Sequence, residues 1–355
     1  MSVVHFVERL DGYGDSEPLV RLVLAQVERG DRPVVVALTG HVAVVDHLRR
    51  RGIEVHIAQS RWPVDPFALA RTRVWLRRST AALHVWGLAA AKYGSLFMRR
   101  DRRLKIAALP GPTPGSRVRD KAVRSLRRYD VLCVFDDQWR GELAADARGQ
   151  IRALPRTVAA PATTFDNRES AFKAWGVPPD ARVVVTAGPL VRRRRLDDAI
   201  WNFELVRVLC QQAVMIVAGD GPDMPRLRRF VRSACDPGAV QLVGHRSDWR
   251  GLLPFVDAYW EAGEQATIPQ AVCEALAVNV PCVLANGGAA AAAAGGWTLA
   301  TSRAEFARET ERILAISPIG APRPAATADA RWLSATGRTW GSDGAVGWWD
   351  DVYRR

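Results

Sequence analysis

Four consecutive arginines, at positions 192–195, are the most concentrated group of positive charge in the second half of the chain. They follow a short apolar segment that ends at Gly188, and they precede a segment with helical spacing. Guanidinium groups bind phosphate oxygens through two parallel hydrogen bonds. The position of Arg192 and Arg194 between a strand end and a helix start therefore predicts a phosphate site. The alternative is an exposed, solvated loop.

Glycine turns follow several apolar segments of the same half. They lie at Gly188, at Gly219 and Gly221, at Gly244, and at residues 287–288. Glycine allows positive φ and a close approach of the backbone to a ligand. One such turn is weak evidence, but this ordered series predicts a crevice that accepts a nucleotide.

A third group of candidate binding residues lies where a helix is predicted to begin. Thr267 and Gln270 stand at this start, where free backbone N–H groups suit a diphosphate. Glu274 follows one turn later, and its carboxylate could accept hydrogen bonds from ribose hydroxyls. The alternative for Glu274 is a surface glutamate in a helix of good helix formers.

Strands and helices alternate along both halves of the chain and would hold these residues in place. Predicted strands cover residues 3–7, 33–38, 53–58, 130–135, 183–187, 214–218, 240–243, 257–260 and 281–285. Predicted helices cover residues 18–29, 42–51, 196–210, 224–234, 248–253 and 269–278. Such alternation is typical of parallel sheets with helices on both faces. Ligands of these sheets bind beyond the carboxyl ends of the strands.

Four prolines between positions 155 and 179 interrupt this alternation. We predict a linker at about residues 155–180, with a short helix at 167–175. The linker separates a first domain over residues 1–160 from a second domain over residues 180–335.

The chain is strongly basic, with 355 residues and a net charge of +13. Between Arg99 and Arg128 stand eleven lysines and arginines against two aspartates, a net charge of +9 in one segment. Such a segment suits an anionic membrane surface, and a solvated face is the alternative. No nucleic-acid-binding motif accompanies it, so no nucleic acid partner is expected.

The cysteines and histidines form no pattern that would bind a metal. Five cysteines are scattered without a CxxC motif, as expected of reduced thiols, and the six histidines have no zinc spacing. We expect neither metal nor cofactor. The apolar stretches are too short for a spanning helix, and the first residues lack a signal-peptide pattern. The expected location is the cytoplasm, with contact to the inner face of the membrane.

Residues 183–299 resemble the donor-binding domain of the group 1 (family-4-type) glycosyltransferases with the GT-B fold. The matching motifs, in order, are GPLVRRR at 188–194, VAGDGP at 217–222, VQLVGH at 240–245, VDAYW at 256–260 and PQAVCEALAVNVPCV at 269–283. The opening VVHFVERLDGYG, with Gly12 and Gly14, resembles the first strand and glycine loop of this family. Residues 340–355 resemble its C-terminal helix, which packs back on the first domain.

This resemblance implies an α/β fold with two Rossmann-like, doubly wound domains that face each other across a cleft. It implies retaining, metal-independent transfer of a sugar from a nucleoside diphosphate sugar to an acceptor. Arg194 stands where the family usually has a lysine, with Arg192 beside it, and would neutralise the leaving diphosphate. Glu274 matches the family's ribose-binding glutamate. Gly12, Gly14 and His84 would lie on the acceptor side.

The sequence also departs from the family pattern. Ala266 occupies the position of a glutamate that contacts the donor sugar, although Glu261 and Glu264 lie nearby. Residues 106–114 carry no histidine where the family often has one. His84 lies upstream and would either line the cleft or be a core histidine. These departures leave an alternative function open, that of a non-catalytic protein that binds nucleotide or serves as a partner subunit.

Overall fold

The computed structural model describes residues 3–13, 16–60, 65–77, 82–97, 102–109, 123–134, 140–141, 143, 147–153, 165–263, 268–287, 297–316 and 342–353, with the backbone alone for 342–347. The chain divides into two compact units. The first unit comprises Met1–Thr157 and Leu333–Arg355, and the second comprises Val158–Trp332.

Among the described residues, the first unit contains seven strands that pair in parallel. They are β1 (Val3–Leu10), β2 (Val34–Gly40), β3 (Glu54–Ile57), β4 (Ala82–Trp86), β5 (Leu104–Leu109), β6 (Val131–Val134) and β7 (Gln150–Ala153). Their order is β3-β2-β1-β4-β5-β6-β7. Helices of this unit are α1 (Ser16–Glu28), α2 (Val42–Arg50), α3 (Pro66–Leu76), α4 (Leu88–Phe97) and, at the end of the chain, α11 (Ser342–Tyr353).

The second unit repeats the same plan with six parallel strands in its described part. They are β8 (Arg182–Ala187), β9 (Ala213–Ala218), β10 (Val240–Gly244), β11 (Ala258–Glu261), β12 (Cys282–Ala285) and β13 (Trp297–Ala300), in the order β10-β9-β8-β11-β12-β13. The helices are α5 (Arg168–Trp175), α6 (Leu196–Leu209), α7 (Met224–Ala234), α8 (Trp249–Leu252), α9 (Gln270–Leu276) and α10 (Arg303–Ile316).

Burial on both faces explains why the central strands are nearly continuous apolar runs. Every residue of β8 and β9 is buried, including Arg182 and Thr186. Parallel sheets covered by helices on both sides require such runs. The predicted α/β fold class is confirmed. In the second sheet the strand order reverses between β8 and β11, which is where ligands bind in open α/β sheets.

The predicted linker is wrong for α5, because this helix packs inside the second unit. The Arg168 guanidinium is buried and lies 3.3 Å from a carboxylate oxygen of Asp257. It also donates hydrogen bonds to the carbonyl oxygens of Phe255 and Ala181. Prolines flank α5 in the sequence, but the buried Arg168 guanidinium and its several partners fix this helix in the second unit.

His84 lies in the core of the first unit, so its expected place on the acceptor side is wrong. Its side chain is fully buried, and its Nδ1 lies 2.8 Å from the Tyr353 hydroxyl of α11. Its ring packs 4.4 Å from the rings of both Trp86 and Trp349. Helix α11 covers the histidine, which acts as a core side chain.

His5 lies beside His84, with 5.1 Å between the ring centres, and is held in its neutral form. Its Nε2 donates to the Gln26 side-chain oxygen at 3.0 Å, and its Nδ1 accepts from Trp86 Nε1 at 3.3 Å. Burial lowers the pKa of His5 to about 4, and burial and the neighbouring His5 hold the pKa of His84 well below its usual value. Protonation of His5 or His84 would therefore destabilise the packing of these two rings against Trp86 and Trp349.

We predict that the first unit loses stability as the pH falls from about 6.5 towards 4. The unfolded chain takes up the His5 proton in this range while the folded chain does not. The pKa of His5 is near 4 in the folded chain and about 6.5 in the unfolded chain. This difference lowers the free energy of unfolding by about 3 kcal/mol at pH 4. Hydrogen exchange of the β1 and β4 amides, corrected for intrinsic rates, measures the effect. His5→Asn should weaken the pH dependence, whereas His47→Asn, at an exposed position, should retain it.

Within the ranges that the structure describes, no helix combines the length and apolar character needed to cross a membrane. The five cysteines are free thiols, and Cys133, Cys273 and Cys282 are buried.

Candidate functional site

The loops that follow β8, β9 and β10 are joined by backbone hydrogen bonds at one edge of the second sheet. The Gly188 N–H donates to the Ala218 carbonyl at 2.9 Å, and the Gly219 N–H donates to the Gly244 carbonyl at 2.8 Å. The Leu190 N–H donates to the Asp220 carbonyl at 3.0 Å. The strand-end loops of this half therefore form one continuous backbone surface.

Contact between these loops requires glycine at two positions. A Cβ atom at Gly219 would lie 1.9 Å from the Gly188 carbonyl oxygen, and one at Gly221 would lie 2.4 Å from the Leu190 carbonyl oxygen. Gly219 also has a φ of +148°. The contact of one loop with the next explains these glycines within the protein itself. That they also border a nucleotide stays a prediction.

The arginine run forms a 3₁₀ turn at Arg192–Arg194, and one of its side chains turns inward. Arg194 is only 4% exposed, and its Nη2 donates to Glu261 Oε2 and to Thr186 Oγ1, both at 2.8 Å. Its Nε lies 3.3 Å from Glu261 Oε1. Because Thr186 belongs to β8 and Glu261 ends β11, the ion pair lies where the strand order reverses.

The other arginines of the run are exposed. Arg192 lies 3.3 Å from Asp223, a carboxylate that Arg226 also binds at 2.8 Å. The hydrogen bonds from Arg226 lower the pKa of Asp223. Arg195 lies 2.7 Å from Asp198. The turn therefore presents positive charge to solvent while it buries Arg194.

Glu274 is buried, so the surface-glutamate alternative is wrong. Its side chain is 1% exposed, and Arg250 Nε donates to Glu274 Oε2 at 2.9 Å. The guanidinium of Arg250 also lies 5.0 Å from the ring centre of Trp249. Helix α9 begins at Gln270 and is shorter than predicted. It holds Glu274 in a charged contact with the segment that precedes β11.

Several predicted site residues lie elsewhere. Gly12, with a φ of +76°, lies in the loop after β1 of the first unit, and its N–H donates to Ser16 Oγ at 2.8 Å. Gly14, Thr267, Ala266 and Glu264 lie outside the described residues. In the described part of the chain, no three His, Cys, Asp or Glu side chains are grouped as a metal site would require.

Sequence reasoning missed the partners of both central charges. Glu261 bonds to Arg194 across 67 residues of sequence, and Arg250 bonds to Glu274 across 24 residues. One signal was present, because Glu261 is a charged residue at the end of the otherwise apolar strand β11. A charge in such a place needs a partner when it is buried.

We predict that Gly219→Ala lowers the free energy of unfolding of the second unit by at least about 2 kcal/mol. A side chain there adds backbone strain of about 1–3 kcal/mol to the clash with the Gly188 carbonyl. Gly238→Ala is the matched control, because Gly238 also has positive φ but nothing within 4 Å of its Cβ position. Urea unfolding measures the free energy of unfolding of both variants. Equal losses in Gly219→Ala and Gly238→Ala would show that the clash with the Gly188 carbonyl does not destabilise the unit.

Comparison with known proteins adds to this geometry. Residues 181–315 match the model of a family described as glycosyl transferases group 1. A comparison with curated protein sequences finds no match.

Solved structures resemble the chain over nearly its whole length. The Anabaena protein HepE, in complex with UDP and glucose, is 14% identical, covers 99% of both chains and has a TM-score of 0.76. WaaG, a glycosyltransferase involved in lipopolysaccharide biosynthesis, is 12% identical over 99% of this chain and 96% of that chain, with a TM-score of 0.66. Sucrose-phosphate synthase from Thermosynechococcus elongatus is 13% identical over 100% and 98% of the two chains, with a TM-score of 0.69.

These matches agree with the motif order and with the paired α/β units. The predicted resemblance to the group 1 glycosyltransferases of GT-B fold is therefore confirmed, by the family model for residues 181–315 and by the fold for the whole chain.

Proposed function

We propose that this protein transfers a sugar, with retention of configuration and without a metal, from a nucleoside diphosphate sugar to an acceptor. One observation carries the proposal. An arginine turn and a set of joined glycine loops occupy the carboxyl edge of the second sheet, at the reversal of strand order. Diphosphates bind at such edges in open α/β sheets.

The chemistry needs positive charge where the leaving diphosphate develops negative charge. Fixed cations at that place lower the energy of the transition state because they need no rearrangement during the reaction. The exposed arginines of the turn, which follows Gly188 in the chain, are proposed to supply such charge. The same cations would hold the diphosphate product.

Glu274 is proposed to bind the ribose. A carboxylate accepts hydrogen bonds from two neighbouring hydroxyls, and charged hydrogen bonds are stronger than neutral ones. Arg250 fixes the orientation of this carboxylate through its 2.9 Å contact. Gln270, at the start of α9, and Thr267, three residues earlier in the sequence, are proposed as further nucleotide-binding residues.

The solved relatives suggest the donor and the class of acceptor. HepE was solved with UDP and with UDP-glucose. WaaG takes part in lipopolysaccharide biosynthesis. A uridine diphosphate sugar is therefore the first donor to test, and a cell-envelope or lipid-linked glycan is the first acceptor.

We predict that UDP binds the protein equally well with and without EDTA. Arginines rather than a metal would neutralise the diphosphate, so removal of divalent cations should leave the dissociation constant unchanged. Isothermal titration calorimetry with UDP, and with UMP as the reference for the second phosphate, tests this. Loss of UDP binding in EDTA would contradict the metal-free site.

The alternative function remains a non-catalytic protein that binds nucleotide or serves as a partner subunit. The observation in its favour is Ala266, which lacks the carboxylate that contacts the donor sugar in the family. Turnover decides between the two functions. Release of UDP from a panel of uridine diphosphate sugars, with and without glycan acceptors, supports the transferase, whereas UDP binding without turnover supports the alternative.

We further propose that the protein acts in the cytoplasm, at the inner face of the membrane, through its basic segment Arg99–Arg128. Most of this segment lies outside the described residues. Of its described part, Arg124 and Arg127 are exposed. Anionic headgroups attract such cations, and salt weakens the attraction.

We predict that the protein co-sediments with vesicles containing phosphatidylglycerol and not with vesicles of phosphatidylcholine alone. Each cation near the surface contributes about 1 kcal/mol. The double variant Arg124→Gln/Arg127→Gln should therefore bind anionic vesicles at least about tenfold more weakly. Arg228→Gln/Arg229→Gln, which removes equal charge from helix α7, is the control. Equal binding to both kinds of vesicle would reject the proposal.

A further inference from the structure

Helix α3 exposes large apolar side chains on the side that faces away from the core of the first unit. Phe67 and Val74 are 73% and 56% exposed. They are seven residues apart, which is about two turns of an α-helix, so they lie on the same side of α3. Ala68 and Leu76 are buried on its other side. Helix α3 is therefore apolar on its outward side as well as on its inward side, whereas a surface helix usually has a polar outward side.

Contacts with the rest of the first unit hold α3 in this orientation. The Asp65 carboxylate caps the helix and accepts hydrogen bonds from the N–H groups of Phe67 and Ala68, both at 3.0 Å. Farther along, the Arg71 Nε donates to the carbonyl oxygen of Ala58, which follows β3, at 3.1 Å. The outward side of α3 is therefore a fixed part of the surface of this unit.

Helices α3 and α4 and the described part of the basic segment Arg99–Arg128 cover the same face of the first sheet. One buried cluster contains side chains from all three, namely Ala68, Ala90 and Leu126. Arg128 joins the basic segment to α4, because its Nη1 donates to the Ser95 carbonyl at 2.6 Å. Leu96, the next residue of α4, is exposed. Exposed apolar side chains and the basic segment thus lie on one face of the unit.

This face is basic and has no acidic side chain in the helices and segment just described. Residues 66–77, 88–97 and 123–129 contain no aspartate or glutamate. Their cations are Arg71, Arg73, Arg77, Lys92, Arg124, Arg127 and Arg128. An anionic surface complements such a face. Apolar side chains among cations are typical of helices that lie in the interface of a membrane.

A second apolar stripe, on helix α6 of the second unit, has different chemistry. Trp201, Leu205 and Val208 are exposed there. The same helix carries three acidic residues, which an anionic surface would repel. Charge therefore favours α3 over α6 as the contact with an anionic membrane.

We infer that α3 inserts Phe67 and Val74 into the headgroup region of an anionic membrane, beside the basic segment. The inference rests on the proposed function, of which contact with such a membrane is a part. Arginines attract the protein to the surface, and the two apolar side chains hold it there by entering the lipid. Salt screens the attraction between charges but not the burial of apolar surface. Binding therefore has a salt-sensitive part and a salt-resistant part.

Co-sedimentation of the full chain with phosphatidylglycerol vesicles, in low salt and in about 1 M NaCl, tests the inference. Phe67→Ser/Val74→Ser should bind at least about tenfold more weakly in low salt and should lose the binding that the unchanged protein keeps in high salt. Trp201→Ser/Val208→Ser removes exposed apolar side chains at the same spacing from α6 and should bind like the unchanged protein. The four side chains are exposed, so both variants should keep the melting temperature.

A fluorescent label measures directly whether α3 enters the lipid. Cys210→Ser and Cys235→Ser remove the two half-buried thiols, and the other three thiols are buried. Val74→Cys in this chain is then labelled with the environment-sensitive dye NBD. Its emission should rise and shift to the blue when phosphatidylglycerol vesicles are added. The same label at Val208→Cys should show no change.

The outcomes separate this inference from the proposed function. If the unchanged protein does not bind anionic vesicles, the proposed membrane contact fails and the inference fails with it, while UDP binding and turnover still decide the transferase. If the unchanged protein binds and Phe67→Ser/Val74→Ser binds equally well, or if the α6 variant loses as much affinity, the inference alone fails.

Two further results would also overturn the inference while the proposed membrane contact stands. One is an unchanged emission of the label at Val74→Cys on vesicles that bind the protein. The other is a dimer of the unchanged protein in analytical ultracentrifugation without lipid that becomes a monomer in Phe67→Ser/Val74→Ser. The outward side of α3 would then join two copies of the chain.

Discussion

The second unit depends on how its two central strands, β8 and β11, are held together. Their described ladder is short, with Val184 beside Ala258 and Val185 beside Tyr259. Buried ion pairs lie at both ends of this pair of strands. Asp257 forms ion pairs with Arg182 and Arg168 where the strands begin. Glu261 forms an ion pair with Arg194 where they end.

Such contacts specify register more than they add stability. A buried ion pair roughly balances its cost of desolvation, but removal of one partner costs about 3–5 kcal/mol. A shift of β11 by one residue would turn every side chain to the opposite face and separate the charges from their partners. The hydroxyl of Tyr259, which bonds to both backbone groups of Ala187, adds a further neutral link. These contacts hold β8 and β11 in register where the strand order of the sheet reverses.

Local patterns predicted the fold well where strands are apolar runs bounded by glycine. The predicted strand at 183–187 and helix at 196–210 lie within one residue of β8 and α6. Between residues 60 and 130 no strand or helix was predicted, although α3, α4, β4 and β5 lie there. Helix α4 reads LAAAKYGSLF, which has little separation of polar and apolar faces, so periodicity does not reveal it.

The site was less predictable, because its decisive contacts join distant parts of the chain. Composition and position could place arginines beside a glycine turn, but they could not show which one turns inward. His84 was ambiguous because its partner Tyr353 is 269 residues away.

The contact between His84 and Tyr353 has a consequence for biosynthesis. The core of the first unit is completed by α11, which the ribosome makes after the entire second unit, so the second unit can finish folding first. Until α11 emerges, the rings around His84 lack the contacts that Trp349 and Tyr353 make with them, so the core of the first unit is the last part of the protein to be completed.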